Sequence, residues 1–193
     1  MRNDPVVVPA LPILLPLGVL AMVVSWLLLR RRGLLTPMRL AACWFAGWYA
    51  VAVLGATFLP MHLAPGSPPQ LFRINPLPLY ALRPTDFVLN VVMTLPFAGL
   101  LDILFGIRDR ARVLRLGLML SASIEITQAV LILTVHDNRW AEANDLVSNV
   151  LGVYLGWLAF HALLRFGTVR RVVGSAAGAP VSQVQDDRAA RAG

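Results

Sequence analysis

The sequence predicts an all-α fold, a polytopic membrane bundle of about five transmembrane helices, and three observations carry that prediction. Hydrophobic residues make up 58% of the 193 residues and charged residues only 14%, with a mean hydropathy of +0.69, outside the range of soluble globular domains. Five apolar runs, at 6–29, 40–59, 87–105, 114–133 and 146–164, each approach the about 20 residues that cross a bilayer as a helix. The arginines gather at the ends of these runs rather than within them.

The first run contains Pro9, Pro12 and Pro16, so its first turns are expected to kink or its helix to start late. It is too long for a cleaved leader, and Arg30, Arg31 and Arg32 follow it instead of preceding it, which also argues against a twin-arginine signal. The connection after the second run, 60–86, is dense in proline and also carries Leu71, Phe72, Leu77, Leu79 and Tyr80. Proline favours extended, unpaired backbone while the apolar side chains require burial. A loop lying at the interface, or folded back over the mouth of the bundle, meets both demands. Residues 1–171 read as one transmembrane unit. Residues 172–193, rich in Ala, Gly, Ser, Gln and Asp and without periodicity, read as a disordered tail.

Arginine placement sets the expected orientation. Four arginines (Arg30, Arg31, Arg32, Arg39), four more (Arg108, Arg110, Arg112, Arg115) and three after the last run (Arg165, Arg170, Arg171) fall on one side, eleven in all, against Arg2, Arg73, Arg83 and Arg139 on the other. The positive-inside rule then places the N-terminus outside and the C-terminus in the cytoplasm. The formal charge of +7 is explained by topology. It forms no basic patch interleaved with aromatics, so nucleic acid is not an expected partner. The single cysteine, Cys43, lies in an apolar run, which excludes an intramolecular disulfide and a cysteine metal site.

Function is sought among polar residues inside the apolar runs, because a carboxylate within a bilayer span costs several kcal/mol on insertion scales (roughly 3) and generally faces a partner or a wet cavity. Glu125 lies roughly 16 Å into the fourth run by the helical rise, near the midplane and slightly outward, and Gln128 follows on the same face. Asp145 opens the fifth run with Asn149 one turn deeper, and Asn90 and Thr94 enter the third. These helices are expected to converge on a site opening outward. Gly152 and Gly156 form a small-xxx-small pair, read as helix packing. Asp102 is expected to snorkel or to pair with Arg108, and the tryptophans near run ends read as an interfacial belt. His136 and Asp137 have no tight ligand spacing, so no metal is expected, and Ser121 and Ser123 lack a nucleophile-elbow context.

Four blocks together resemble the VanZ-like membrane proteins: Asn75-x-x-Pro78, Asn90-x5-Pro96, Glu125-x-x-Gln128, and Arg139-x-x-Glu142-x-x-Asp145-x3-Asn149-x-x-Gly152-x3-Gly156. The similarity is strongest over 72–157, and Thr94 and the Ala98-Gly99 pair depart from the family pattern. The resemblance implies a multi-pass protein of the bacterial cell membrane and an association with low-level resistance to the glycopeptide teicoplanin. It implies no established cofactor, and it directs attention to Asn90, Glu125, Gln128, Arg139, Asp145 and Asn149 as a ligand-binding polar cluster. The leading expectation is a binding protein of the cell envelope that holds a lipid-linked or amphiphilic molecule, with membrane lipids as partners and Arg139 pairing with its phosphate or carboxylate. The alternatives are an intramembrane enzyme using Glu125 as general acid or base beside Asp145, and a transporter. An internal repeat that would suit a carrier is not evident, although an oligomer could supply the architecture.

Overall fold

The computed structural model describes residues 6–63, 68, 71–78, 80 and 82–177. Five helices in it are long and apolar enough to cross a membrane: α1 (Leu11–Arg31), α2 (Pro37–Phe58), α3 (Pro84–Phe105), α4 (Arg110–Thr134) and α5 (Ala143–Leu163). Local chemistry explains their limits. Helix α1 begins at Leu11, later than the apolar run, with Pro12 in its first turn where a missing N–H does no harm. Helix α2 starts behind Thr36, whose side chain accepts from the Arg39 amide at 3.3 Å, and α4 starts behind Asp109, which accepts from the Arg112 amide at 2.9 Å. Gly106, at φ 67°, closes α3 in the left-handed conformation that favours glycine.

The centre of the bundle is the pair α3 and α5, which run parallel. Their contact is close because α5 offers no side chain at two positions: a Cβ on Gly152 would collide with Thr94 Oγ1 and the Val91 carbonyl, and one on Gly156 with the Leu95 carbonyl. This is the packing role expected of the glycine pair. Thr94, one of the departures from the family pattern, donates from Oγ1 to the Asn149 carbonyl at 2.9 Å and so ties the two helices together. Gly99, the other, packs against the ring of Phe160. Helix α4 joins this pair through Gly117, set against Val153, and Ala98, Leu101, Val113 and Val153 form the apolar core. Helix α1 leans chiefly on α2, with Gly18 under the Trp48 ring, and leaves a wide apolar surface for lipid.

Two short β pairings supplement the helices. Strand β1 (Val6–Val8) pairs antiparallel with β2 (Met61–Leu63), and β3 (Ile74–Asn75) pairs parallel with β4 (Ala141–Glu142). The second pairing folds the described part of the proline-rich connection back over one end of the bundle, where Phe72 meets Trp140 edge to face at 6.0 Å. At the opposite, arginine-rich end, buried Asp102 pairs with Arg108 at 3.0 Å, and a further helix, α6 (Gly167–Ala177), packs against α2 and α3. Residues 172–177, read from composition as the start of a disordered tail, belong to this helix. Val173 is buried and the Arg39 guanidinium donates to the Ala177 carbonyl at 3.2 Å, contacts that composition does not register. Residues 178–193 of that tail lie outside the described residues.

Candidate functional site

At the arginine-poor end, α2, α3, α4 and α5 enclose a cavity of about 560 Å³. Asn90, Glu125, Gln128, Arg139, Asp145 and Asn149, the six residues singled out by sequence, all line it. They arrive from three helices and from the connection before α5, so the convergence is tertiary. Leu89, Val92, Met93 and Ile124 supply an apolar part of the wall. Five polar or charged lining residues were missed by sequence reasoning: Thr57, Arg83, Asp86, Asn138 and Trp140. Arg83 and Asp86 carry a signal that could have found them, since their spacing is that of a pair at the start of a helix, and they form an ion pair at 3.2 Å.

The structure sets Glu125 against the start of the next helix. Helix α4 continues for nine residues past it, about 14 Å by the helical rise, and the connection then folds back down to begin α5 beside it. The Glu142 amide, at the start of α5, donates to Glu125 Oε2 at 2.9 Å. Glu125 is therefore level with the first turn of α5, with its carboxyl group at the N–H end of that helix. A helix-start contact reaches this carboxylate because the connection folds back toward it. Its other oxygen, Oε1, accepts from no described residue.

Arg139 is committed differently from expectation. Nη1 donates to the Ala56 carbonyl at 2.9 Å and Nη2 to the Leu59 carbonyl at 2.6 Å. The guanidinium thus caps the carbonyl end of α2, where unpaired acceptors and the negative end of the dipole favour a cation. Arg83 is held by Glu142 Oε1 at 2.7 Å as well as by Asp86, and lies over the Trp140 ring at 5.2 Å from its centroid. Both guanidinium groups that face the cavity are therefore engaged by the protein.

The amides point the other way. Gln128 donates from Nε2 to the Thr57 carbonyl at 3.0 Å, and Asn149 from Nδ2 to Ser121 Oγ at 3.1 Å. Their oxygens, Gln128 Oε1 and Asn149 Oδ1, are buried and have no partner among the described residues. Asn90 and Asp145 line the cavity together, and Asp145 lies close enough to Glu125 to act on its carboxyl group. His136 and Asp137 stand apart from this group. Asp137 organises its own connection, accepting from the His62 and Asn138 amides at 3.1 and 2.8 Å. Among the described residues no three potential metal ligands converge.

A family model described as VanZ/LLP1 matches residues 45–165, more than half of the chain and the whole of the segment that builds the cavity. No curated protein and no solved structure matches the chain. With its five membrane-length helices and its polar cavity inside the matched segment, the chain belongs to the VanZ/LLP1 family.

Proposed function

We propose that this VanZ-like membrane protein binds an amphiphilic or lipid-linked ligand of the bacterial cell envelope, with the ligand's polar group in the cavity and its apolar part against the helices. The observation that carries the reading is the cavity itself: polar groups from α3, α4, α5 and the preceding connection share one space with an apolar wall of Leu89, Val92, Met93 and Ile124. Pockets of this mixed character, with a few convergent polar groups, are typical ligand sites. In the orientation drawn from the arginines, the cavity opens outside the cell, where glycopeptides and lipid-linked envelope precursors are met.

The test is ligand retention. Purified wild-type protein is expected to carry a co-purifying amphiphile, detected by mass spectrometry of solvent extracts. Ala56→Phe, which fills the cavity from α2 without altering any polar group, is expected to carry none. Equal retention by both would refute the cavity as the site. For the glycopeptide branch, a teicoplanin-sensitive Gram-positive host expressing wild type is expected to be protected, and hosts expressing Ala56→Phe or Glu125→Ala at matched abundance are not. A second reading, an enzyme acting on envelope lipids, draws support from the proximity of Glu125 and Asp145. Glu125→Gln separates the two, because it removes a general acid or base yet leaves an acceptor for binding.

A further inference from the structure

We infer that the polar group the cavity accepts is a cation with N–H donors, a primary ammonium, and not a phosphate or carboxylate. The inference rests on the ligand-binding reading above and names the ligand chemistry of that same site.

The argument is an inventory of what each lining group has left to offer. Arg139 spends Nη1 and Nη2 on the two carbonyls at the end of α2, and Arg83 is shared between Asp86 and Glu142. An anion entering here would compete with these bonds. It would also face three lining carboxylates, Asp86, Glu125 and Asp145, against two guanidinium groups, with Glu142 behind Arg83. The guanidinium groups keep further N–H donors, but each is already held against acceptors of the protein, while the carboxylates keep open acceptor positions. Glu125 has Oε1 without a described partner, and Asp145 lines the cavity with Arg83 and Asn90 beside it.

The two buried amides give independent support for the same ligand. Gln128 is 6% exposed and Asn149 2%, and in each the nitrogen is taken by protein while the oxygen has no described partner. The Thr57 carbonyl can only accept, so it fixes the Gln128 amide with its oxygen free. Buried polar atoms in native proteins are overwhelmingly paired. Both residues line the cavity beside Glu125 and Asp145; their oxygens are sealed from it in this structure and take a donor only when an entering ligand opens the amides. A primary ammonium brings three N–H donors and a compact positive charge, whereas phosphate brings only acceptors.

Native mass spectrometry of the purified full chain tests this, using neutral maltoside micelles loaded equally with dodecylamine, dodecyltrimethylammonium or dodecyl phosphate. The wild type is expected to retain one dodecylamine with about tenfold preference over dodecyl phosphate, or 1.4 kcal/mol. Dodecyltrimethylammonium, charged but without N–H, is expected to fall between. Glu125→Gln and Asp145→Asn, both close in shape to the native residues, are expected to lose the preference. The wild-type ranking stands as a test even if one variant fails to fold. Equal or better retention of dodecyl phosphate overturns the charge inference and leaves the cavity reading intact. Equal retention of the two cations overturns the donor requirement. Retention of every probe at the level of Ala56→Phe overturns the cavity reading as well.

Discussion

At the scale of single residues, Arg139 illustrates how much of the site is support. Its guanidinium holds two carbonyls at the end of α2, and without it these acceptors lose a charge-assisted partner. Arg139→Ala is expected to lower stability by about 1–3 kcal/mol, seen as a lower melting temperature of the detergent-solubilised protein. Arg139→Lys should recover only part of this loss, since an ammonium cannot serve two carbonyls with one planar fork. Full recovery by lysine would show that charge alone is at work. The resemblance to the VanZ-like pattern pointed to Arg139 together with Glu125, Gln128, Asp145 and Asn149. It could not disclose the partners of Arg139, because Ala56 and Leu59 lie 83 and 80 residues away and present backbone atoms that no side-chain pattern encodes. The contact of Glu125 with the start of α5 was hidden for a related reason. Helical rise measures distance along α4, but where α5 begins beside it depends on how the connection folds.

At the scale of elements, the parallel pair α3 and α5 holds the cavity's floor, and glycine sets its spacing. Gly152→Ala places a methyl group onto Thr94 Oγ1 and the Val91 carbonyl. Backbone cannot yield as a side-chain tip can, so the helices must separate. A cost of about 1–3 kcal/mol is expected, at the level seen for overpacked interiors, together with loss of the Thr94 to Asn149 hydrogen bond. Gly174→Ala in α6 is the matched control. Nothing lies within 4 Å of its added methyl, and helix propensity predicts a gain of about 0.5–1 kcal/mol. Thermal unfolding of the two variants should therefore move in opposite directions, and a gain from Gly152→Ala would contradict the close approach. The buried Asp102 makes a second case. Arg108→Ala removes the partner of a carboxylate that is 1% exposed and should cost up to about 3 kcal/mol, toward the low end for buried pairs because the guanidinium itself is mostly solvated. Adding Asp102→Asn should restore part of that loss. Spans and glycine packing were legible in the sequence because hydropathy and residue size are local properties. The two β pairings and the six helical residues 172–177 were not, since both depend on contacts with distant chain.

At the scale of the whole molecule, the bundle has two chemically distinct ends. One gathers eleven arginines around the α1–α2 and α3–α4 connections and around α6. The other holds the cavity, the β pairings and the returning proline-rich connection. The positive-inside rule assigns the arginine-rich end to the cytoplasm, and the proposed encounter with an envelope ligand depends on that assignment. Cysteine labelling tests it directly, because Cys43 is the chain's one cysteine and Cys43→Ser yields a thiol-free background. A cysteine at Leu77, exposed in the connection over the cavity, is expected to react with a membrane-impermeant maleimide on intact cells. A cysteine at Arg110, exposed at the opposite end, should react only after the membrane is permeabilised. The reverse pattern would turn the cavity toward the cytoplasm. It would leave the helices, the cavity and its acceptors unchanged, yet it would remove extracellular glycopeptides from consideration and restrict the ligand to amphiphiles reached from the cytoplasmic leaflet.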